Sequence, residues 1–151
     1  MGRLIISAHL DDAVLSCGQY MAAHPSTVVT VFAGVPDDPQ YVGDYDRIRC
    51  GYLSSRRAMI DRHAEDRAAC AVLNAEAVHL GFYDSQYNAR YSNNDSEIAE
   101  MLAALIRDSD TVLAPLGVGH LDHVVVSHAT REAAQDTLLL YEDLPNVPNE
   151  Q

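Results

Sequence analysis

Short apolar runs rich in β-branched residues alternate along this chain with longer segments of helical periodicity. The runs cover residues 3–8, 27–34, 77–80, 111–116 and 137–141, and the helical segments cover 12–23, 55–73, 95–107 and 122–135. Strands buried on both faces read as continuous apolar runs, and parallel strands need a crossover, usually a helix, between them. The alternation therefore predicts a Rossmann-like α/β fold, a mostly parallel sheet with helices on both faces.

The length of the chain, 151 residues, is that of one domain, and no repeat or linker divides it. No apolar stretch approaches the roughly 20 residues of a membrane span, and the early first strand lacks the pattern of a secretory signal. Cys17, Cys50 and Cys70 are odd in number and widely spaced. This pattern favours reduced thiols in a cytoplasmic protein.

The charge of the chain excludes several classes of function. A net charge of −12 argues against a general nucleic-acid binder, which needs a basic face for phosphate contacts. All 10 basic residues are arginine, and there is no lysine. Schiff-base chemistry and a phosphate-binding loop with its lysine are therefore excluded.

Two of the apolar runs are followed by clusters of imidazole and carboxylate side chains. Residues 9–12 (His-Leu-Asp-Asp) follow the first run, and residues 120–123 (His-Leu-Asp-His) follow the run over 111–116. Ligands collect at the carboxyl ends of strands in an open α/β sheet, so we expect the two clusters to meet. Together they offer a zinc site of two His and one Asp, with a spare carboxylate and a spare imidazole. That set suits metal-assisted hydrolysis.

Each cluster taken alone also has a simpler interpretation. His9 and Asp12 can reach one point from a strand-to-helix turn, which leaves Asp11 as a general base. Yet His-x-x-His is a common pattern, and two Asp before a helix often serve as its N-cap. A nucleotide-binding Rossmann-like module is a further alternative. Against it, a phosphate loop at the first turn needs glycines, and two carboxylates there would repel a pyrophosphate.

Four segments carry a resemblance to a known family. Residues 7–18 (Ser-Ala-His-Leu-Asp-Asp-Ala-Val-Leu-Ser-Cys-Gly) resemble the first signature of the LmbE/PIG-L family of zinc-dependent N-acetylglucosaminyl deacetylases. Residues 119–123 (Gly-His-Leu-Asp-His) resemble its second signature. Between them, residues 62–65 resemble the family's Arg-x-x-Glu helix, and residues 80–84 resemble its Leu-Gly-x-x-Asp turn. The four motifs stand in the family's order and span most of the chain.

The resemblance implies roles for eight residues of this chain. The implied metal ligands are His9, Asp12 and His123. The implied catalytic residues are Asp11 as general base, His120 as oxyanion stabiliser or proton donor to the leaving amine, and Asp122 as the partner that orients an imidazole. Arg62 and Asp84 would hold sugar hydroxyls. The metal implied is Zn²⁺, although Fe²⁺ or another divalent ion suits the same ligands.

The activity that the resemblance implies is removal of an N-acetyl group from a glucosamine-containing small molecule or glycoconjugate. Hydrolysis of another N-acyl amine is an alternative, because the reaction centre is the same. A catalytically degenerate member that only binds metal is another. We expect no nucleic-acid partner and no membrane span, and leave a homo-oligomer open.

The chain departs from the family pattern in three places. Leu10 and Leu121 stand where the family usually has Pro, but neither position supplies a ligand. Val118 stands where some members have a Tyr that assists the reaction, so we expect that assistance to be missing. Members also usually continue beyond the equivalent of Gln151. We therefore expect 1–151 to be one C-terminally short domain, with part of a pocket wall absent or supplied by another subunit.

Overall fold

The computed structural model describes residues 2–134 and 138–143. Its strands are β1 (Arg3–Ser7), β2 (Ser26–Thr30), β3 (Ala75–His79), β4 (Thr111–Pro115) and β5 (Leu138–Tyr141). Its α-helices are α1 (Asp12–Ala23), α2 (Ser55–Val72), α3 (Asp95–Ile106) and α4 (Leu121–Ala133). A π-helical turn covers Tyr45–Arg49 and a 3-10 turn covers Ser85–Tyr87. The α/β fold expected from the alternating pattern is confirmed.

The five strands form one parallel sheet in the order β3-β2-β1-β4-β5. The chain builds outwards from β1 to β3 on one side, then returns to place β4 and β5 on the other side. The strand order therefore reverses between β1 and β4, and a crevice opens at their carboxyl ends. Residues 9–12 and 120–123 follow these two strands, so the topology brings both polar clusters to the switch point.

Alternation of side chains along β1 divides the core between the two faces of the sheet. Leu4 and Ile6 belong to a buried cluster that contains residues of α3 and α4, such as Leu102 and Val126. Ile5 points the other way, into a cluster with residues of α1 and α2. Helices thus cover both faces, as the continuous apolar run of this strand predicts.

The observed elements differ from the predicted ones mainly at their ends. The third strand begins at Ala75 rather than 77, because Asn74 has a φ of 56° and ends the preceding helix abruptly. The second strand, predicted over 27–34, leaves the regular ladder after Thr30. The N–H groups of Val31 and Phe32 still donate to the carbonyl oxygens of Ser7 and Ala8. The predicted ends at residues 135 and 137 lie outside the described residues. No helix in the described ranges has the length and apolarity needed to cross a membrane.

The segment over 35–54, expected as a long polar loop, contains a buried anchor. Asp46, within the π-helical turn, is 0 % exposed. Its carboxylate accepts hydrogen bonds from the Arg62 guanidinium at 2.6 Å and from the Tyr87 hydroxyl at 2.7 Å. The segment is therefore fixed against α2 and against the 3-10 turn, and its course borders the crevice.

Candidate metal centre

The turn after β1 is held together by its own short polar side chains. The Ser7 hydroxyl donates to the carbonyl oxygen of His9 at 2.7 Å and accepts from the N–H of Ala13 at 3.2 Å. The Asp12 carboxylate accepts from the N–H of His9 at 2.8 Å. Between them, Asp11 adopts a left-handed backbone with a φ of 73°. This tight turn leaves the side chains of residues 9, 11 and 12 close together at the strand end.

The turn after β4 depends on two glycines and a histidine cap. Gly117 and Gly119 have φ values of 87° and 80°, which residues without a Cβ adopt most readily. His120 then caps α4, because its Nδ1 accepts a hydrogen bond from the N–H of Asp122 at 3.2 Å. His123 follows within the first turn of this helix and is 0 % exposed. The helix therefore points His123 inwards, beneath His120.

Three ligand atoms from the two turns form a nearly regular triangle. His9 Nδ1 lies 3.1 Å from His123 Nε2, and each of these atoms faces the same oxygen of Asp12. That oxygen, Oδ2, is 3.4 Å from His9 Nδ1 and 3.1 Å from His123 Nε2. We call His9, Asp12 and His123 the triad. It is one of two groups that can hold a metal ion within the described residues.

The triad fits a tetrahedral metal better than the second group does. Zinc binds imidazole nitrogen and carboxylate oxygen at about 2.0–2.2 Å, so ligands at tetrahedral corners lie about 3.3–3.5 Å apart. The triad's edges of 3.1, 3.1 and 3.4 Å are close to that spacing. The second group is His9, His120 and Asp122. In it, His120 Nδ1 is 4.0 Å from Asp122 Oδ2 and already accepts a backbone N–H.

Both imidazoles of the triad are held from behind by a carboxylate. Asp122 Oδ2 lies 2.8 Å from His9 Nε2, and Asp143 Oδ1 lies 2.8 Å from His123 Nδ1. A metal-binding His usually pairs its other nitrogen in this way, which fixes the ring and its tautomer. Asp143 was not anticipated from the sequence. It lies two residues after the end of β5, so the strand-end criterion that selected the other clusters also applies to it.

The electrostatics of the triad favour a positive charge at its centre. Burial disfavours a charged His9 ring, but hydrogen bonds with Asp12 and Asp122 outweigh burial and raise its pKa to about 10. Burial would likewise raise the pKa of Asp12, yet its hydrogen bonds with His123 and His9 hold that pKa well below the ordinary value. The cluster therefore attracts a cation, either a proton or a metal ion.

A cleft with a volume of about 630 Å³ opens above the triad. Asp11 and His120 both line it, as do His9 and Asp12. Burial and the nearby charge of Asp66 raise the pKa of Asp11 above its ordinary value. The cleft thus presents a carboxylate and an imidazole beside the candidate ligands, which is the arrangement needed for proton transfer at a reacting group.

Arg62 and Asp84 also line this cleft, each with part of its hydrogen-bonding capacity already used. The Arg62 guanidinium is paired with the buried Asp46 at 2.6 Å. One Asp84 oxygen accepts the N–H of Gln86 at 2.9 Å, and the other lies 3.8 Å from His9 Nε2. The structure therefore brings both residues to the crevice, and their contact with a sugar stays a prediction.

Comparison with known proteins gives a consistent result. The sequence model of the family described as "PIG-L: GlcNAc-PI de-N-acetylase" matches residues 4–134. The chain is similar to the 2'-N-acetylparomamine deacetylase of Streptomyces fradiae, with 33 % identity over 94 % of this chain and 56 % of that protein.

Two solved structures of deacetylases are also similar. The A40926 pseudoaglycone deacetylase Dbv21 is 36 % identical over 96 % of this chain and 64 % of its own, with a TM-score of 0.82. The zinc-inhibited form of the teicoplanin deacetylase Orf2 is 29 % identical over 97 % of this chain and 69 % of its own, with a TM-score of 0.79. The chain spans 56 % of the length of the Streptomyces relative and 64 % of Dbv21. With a family match across both polar clusters and the sheet between them, the chain belongs to the PIG-L de-N-acetylase family.

Proposed function

We propose that this protein is a metal-dependent amidohydrolase that removes the acetyl group from an N-acetylated amino sugar. The observation that carries the proposal is the triangle formed by His9, Asp12 and His123, whose spacing suits a tetrahedral cation at the floor of a cleft. A divalent metal bound there would polarise the amide carbonyl and lower the pKa of a water molecule. The membership of the PIG-L family and the deacetylase relatives support this activity.

The chain's own residues divide the remaining work. Asp11 accepts the proton of the attacking water, which adds to the carbonyl carbon. His120 stabilises the tetrahedral oxyanion by a hydrogen bond. The proton held by Asp11 then passes to the amide nitrogen as the carbon–nitrogen bond breaks, which releases acetic acid, ionising to acetate, and a free amine. Because its Nδ1 accepts the N–H of Asp122, His120 carries its ring proton on Nε2, from which it can donate a hydrogen bond to the oxyanion. Asp122 orients His9, and Arg62 and Asp84 contact sugar hydroxyls.

The charges around the cleft support a neutral or cationic sugar as substrate, rather than one bearing a phosphate. Asp11, Asp12, Glu65 and Asp84 line the cleft, and the guanidinium of Arg62 is matched by buried Asp46. Such a lining attracts cations and repels anions. The Streptomyces relative is named as a deacetylase of 2'-N-acetylparomamine, and Dbv21 as a deacetylase of the A40926 pseudoaglycone.

Zn²⁺ is the metal that we propose first, with Fe²⁺ or another divalent ion as the alternative, since the same ligands suit several metals. Because one similar structure is a zinc-inhibited form of a deacetylase, activity should be compared with several divalent metals. We also propose a cytoplasmic location. Hydrolysis of another N-acyl amine is the second candidate activity, and it would use the same metal ligands and catalytic residues.

The test pairs metal content with free-amine release. Wild type is expected to bind about one divalent ion per chain and to release amine from a panel of N-acylated amino sugars. His123→Ala should lose both the metal and the activity. Asp11→Asn should keep the metal but lose roughly 10²–10⁴-fold in turnover, the usual contribution of a general base. A metal-loaded wild type without activity on any N-acyl amine would contradict the proposal, and near-full activity of Asp11→Asn would contradict the mechanism.

A further inference from the structure

The backbone of Asp11 adopts a conformation that residues with a side chain rarely adopt. Its φ of 73° and ψ of −18° lie in the left-handed region, where Cβ crowds the following carbonyl oxygen. Within residues 2–134 and 138–143, it shares a positive φ with one other non-glycine residue, Asn74. Asp11 precedes α1 directly, yet its carboxylate makes no capping hydrogen bond with that helix. Such a conformation persists when contacts from elsewhere hold it.

Asp66 supplies a contact of this kind from the buried face of α2. It is 1 % exposed, and its Oδ1 accepts the backbone N–H of Asp11 at 3.2 Å. Its other oxygen, Oδ2, lies 2.7 Å from Nε2 of His79 at the end of β3. A buried carboxylate is costly unless it is paired and hydrogen-bonded, and here each oxygen has a hydrogen-bond partner. One faces the Asp11 turn and the other faces the third strand.

The ring of His79 is itself held in place. Its centroid lies 4.2 Å from that of His63, whose Nε2 is 2.7 Å from the carbonyl oxygen of Ala33. The buried Nδ1 of His79 has no hydrogen-bond partner among the described residues, and its Nε2 faces a carboxylate oxygen, so Nε2 carries the N–H that donates. His79 thus donates to one oxygen of Asp66, and the other oxygen accepts the Asp11 amide.

We propose that Asp66 and His79 are positioning residues for Asp11, in which Asp66 holds the left-handed turn and His79 holds Asp66. Asp66 and His79 are absent from the lining of the cleft, so they act through the orientation of the Asp11 carboxylate. The inference rests on the proposed function, because it takes Asp11 as the general base. It goes beyond that function by assigning a catalytic consequence to a buried pair outside the cleft.

The experiment compares Asp66→Ala with Asp66→Asn. Asp66→Ala should lower kcat about 10- to 100-fold, the effect of a small misplacement of a reacting group. KM and bound metal should stay within about twofold, because the triad is intact. Asp66→Asn should recover most of kcat, since its amide oxygen still accepts the Asp11 N–H. The proton of His79 can move to its unpartnered Nδ1, so that Nε2 accepts from the amide NH₂ group. Asp61→Ala on the same helix serves as the matched control and should leave kcat unchanged.

A double-variant comparison separates positioning from a merely structural role. If Asp66 acts through Asp11, then Asp66→Ala should add little to the loss already caused by Asp11→Asn. Three results would overturn the inference. The losses of kcat in the two single variants could multiply in the double variant, kcat could be unchanged in Asp66→Ala, or its loss could be explained by missing metal. If wild type hydrolyses no N-acyl amine, the proposed function fails, but hydrogen exchange still tests the turn. The Asp11 amide should then exchange faster in Asp66→Ala than in Asp66→Asn or Asp61→Ala, and equal rates in Asp66→Ala and Asp61→Ala would overturn the inference.

Discussion

At the scale of single residues, the carboxylate behind each imidazole of the triad determines which ring nitrogen can bind a metal. His123 is fully buried, and its Nδ1 faces Asp143 Oδ1 at 2.8 Å. The other oxygen of Asp143 accepts the backbone N–H groups of Gly117 and Val118 at 2.8 and 3.1 Å. Asp143 therefore fixes the ring of a candidate ligand and the turn that carries it with one side chain.

Asp143→Asn is expected to weaken metal binding by about 10- to 100-fold. An amide that keeps its oxygen towards the two backbone N–H groups presents an NH₂ group to His123 Nδ1. The ring then favours the tautomer with its proton on Nε2, which blocks the atom that faces the triad. Competition with a chelator measures the affinity, and Asp108→Asn, on the exposed surface, is the control. Equal affinities in the two variants would mean that Asp143 does not set the tautomer.

At the scale of elements, the turn between β4 and α4 decides where His120 and His123 stand. Gly117 combines a φ of 87° with a close approach to the helix, since a Cβ there would lie 2.8 Å from Cβ of Ser127. Gly51 has a similar φ of 73°, but a Cβ there would meet nothing within 4 Å. The two glycines therefore separate the cost of a left-handed backbone from the cost of close packing.

Gly117→Ala is expected to lower the free energy of unfolding by clearly more than Gly51→Ala. Gly51→Ala should cost about 1–2 kcal/mol, the penalty of placing Cβ in the left-handed region. Gly117→Ala adds the displacement of α4, so it should cost about 1–3 kcal/mol more, as overpacking does. Urea denaturation of both variants gives the comparison. Equal losses of unfolding free energy in the two variants would show that the turn accommodates a displaced α4 without cost.

The local sequence pattern predicted the helices and strands, but not the contacts between distant segments. The four helices and the strands lie near their predicted positions, because burial period and turn residues are local properties. The π-helical turn over Tyr45–Arg49 was missed, since its stability comes from buried Asp46 and its partners Arg62 and Tyr87, 16 and 41 residues away along the chain. Asp66 was missed for a similar reason: its contact with Asp11 spans 55 residues.

At the scale of the whole molecule, the net charge of −12 and the acidic cleft act in the same direction. Asp11 and Glu65 face the cleft, and Glu65 is exposed at its edge. The field of the protein should therefore draw cationic substrates to the triad and slow the approach of anionic ones, with an effect that salt weakens.

The prediction is that kcat/KM falls in the order cationic, neutral, phosphorylated for N-acetyl amino sugars matched in size. Glu65→Gln should lower kcat/KM for the cationic sugar about threefold and leave kcat/KM for the neutral sugar unchanged. Raising the ionic strength should reduce the differences in kcat/KM between the three sugars. Glu76→Gln, an exposed residue of β3, is the control. Turnover that is independent of substrate charge would show that the acidic lining does not select substrates.

The sequence by itself determined the fold class, the family and the two clusters at strand ends, because periodicity and short motifs are written in neighbouring residues. It left open how the side chains of the two clusters contact one another and that Asp143 joins them. The tertiary structure decided that His9 and His123 face Asp12, with Asp122 and Asp143 behind them. The contacts of His9 with Asp122 and of His123 with Asp12 join residues more than 100 positions apart, and that of His123 with Asp143 spans 20. They form because the parallel sheet places β1 beside β4 and β5 beside β4.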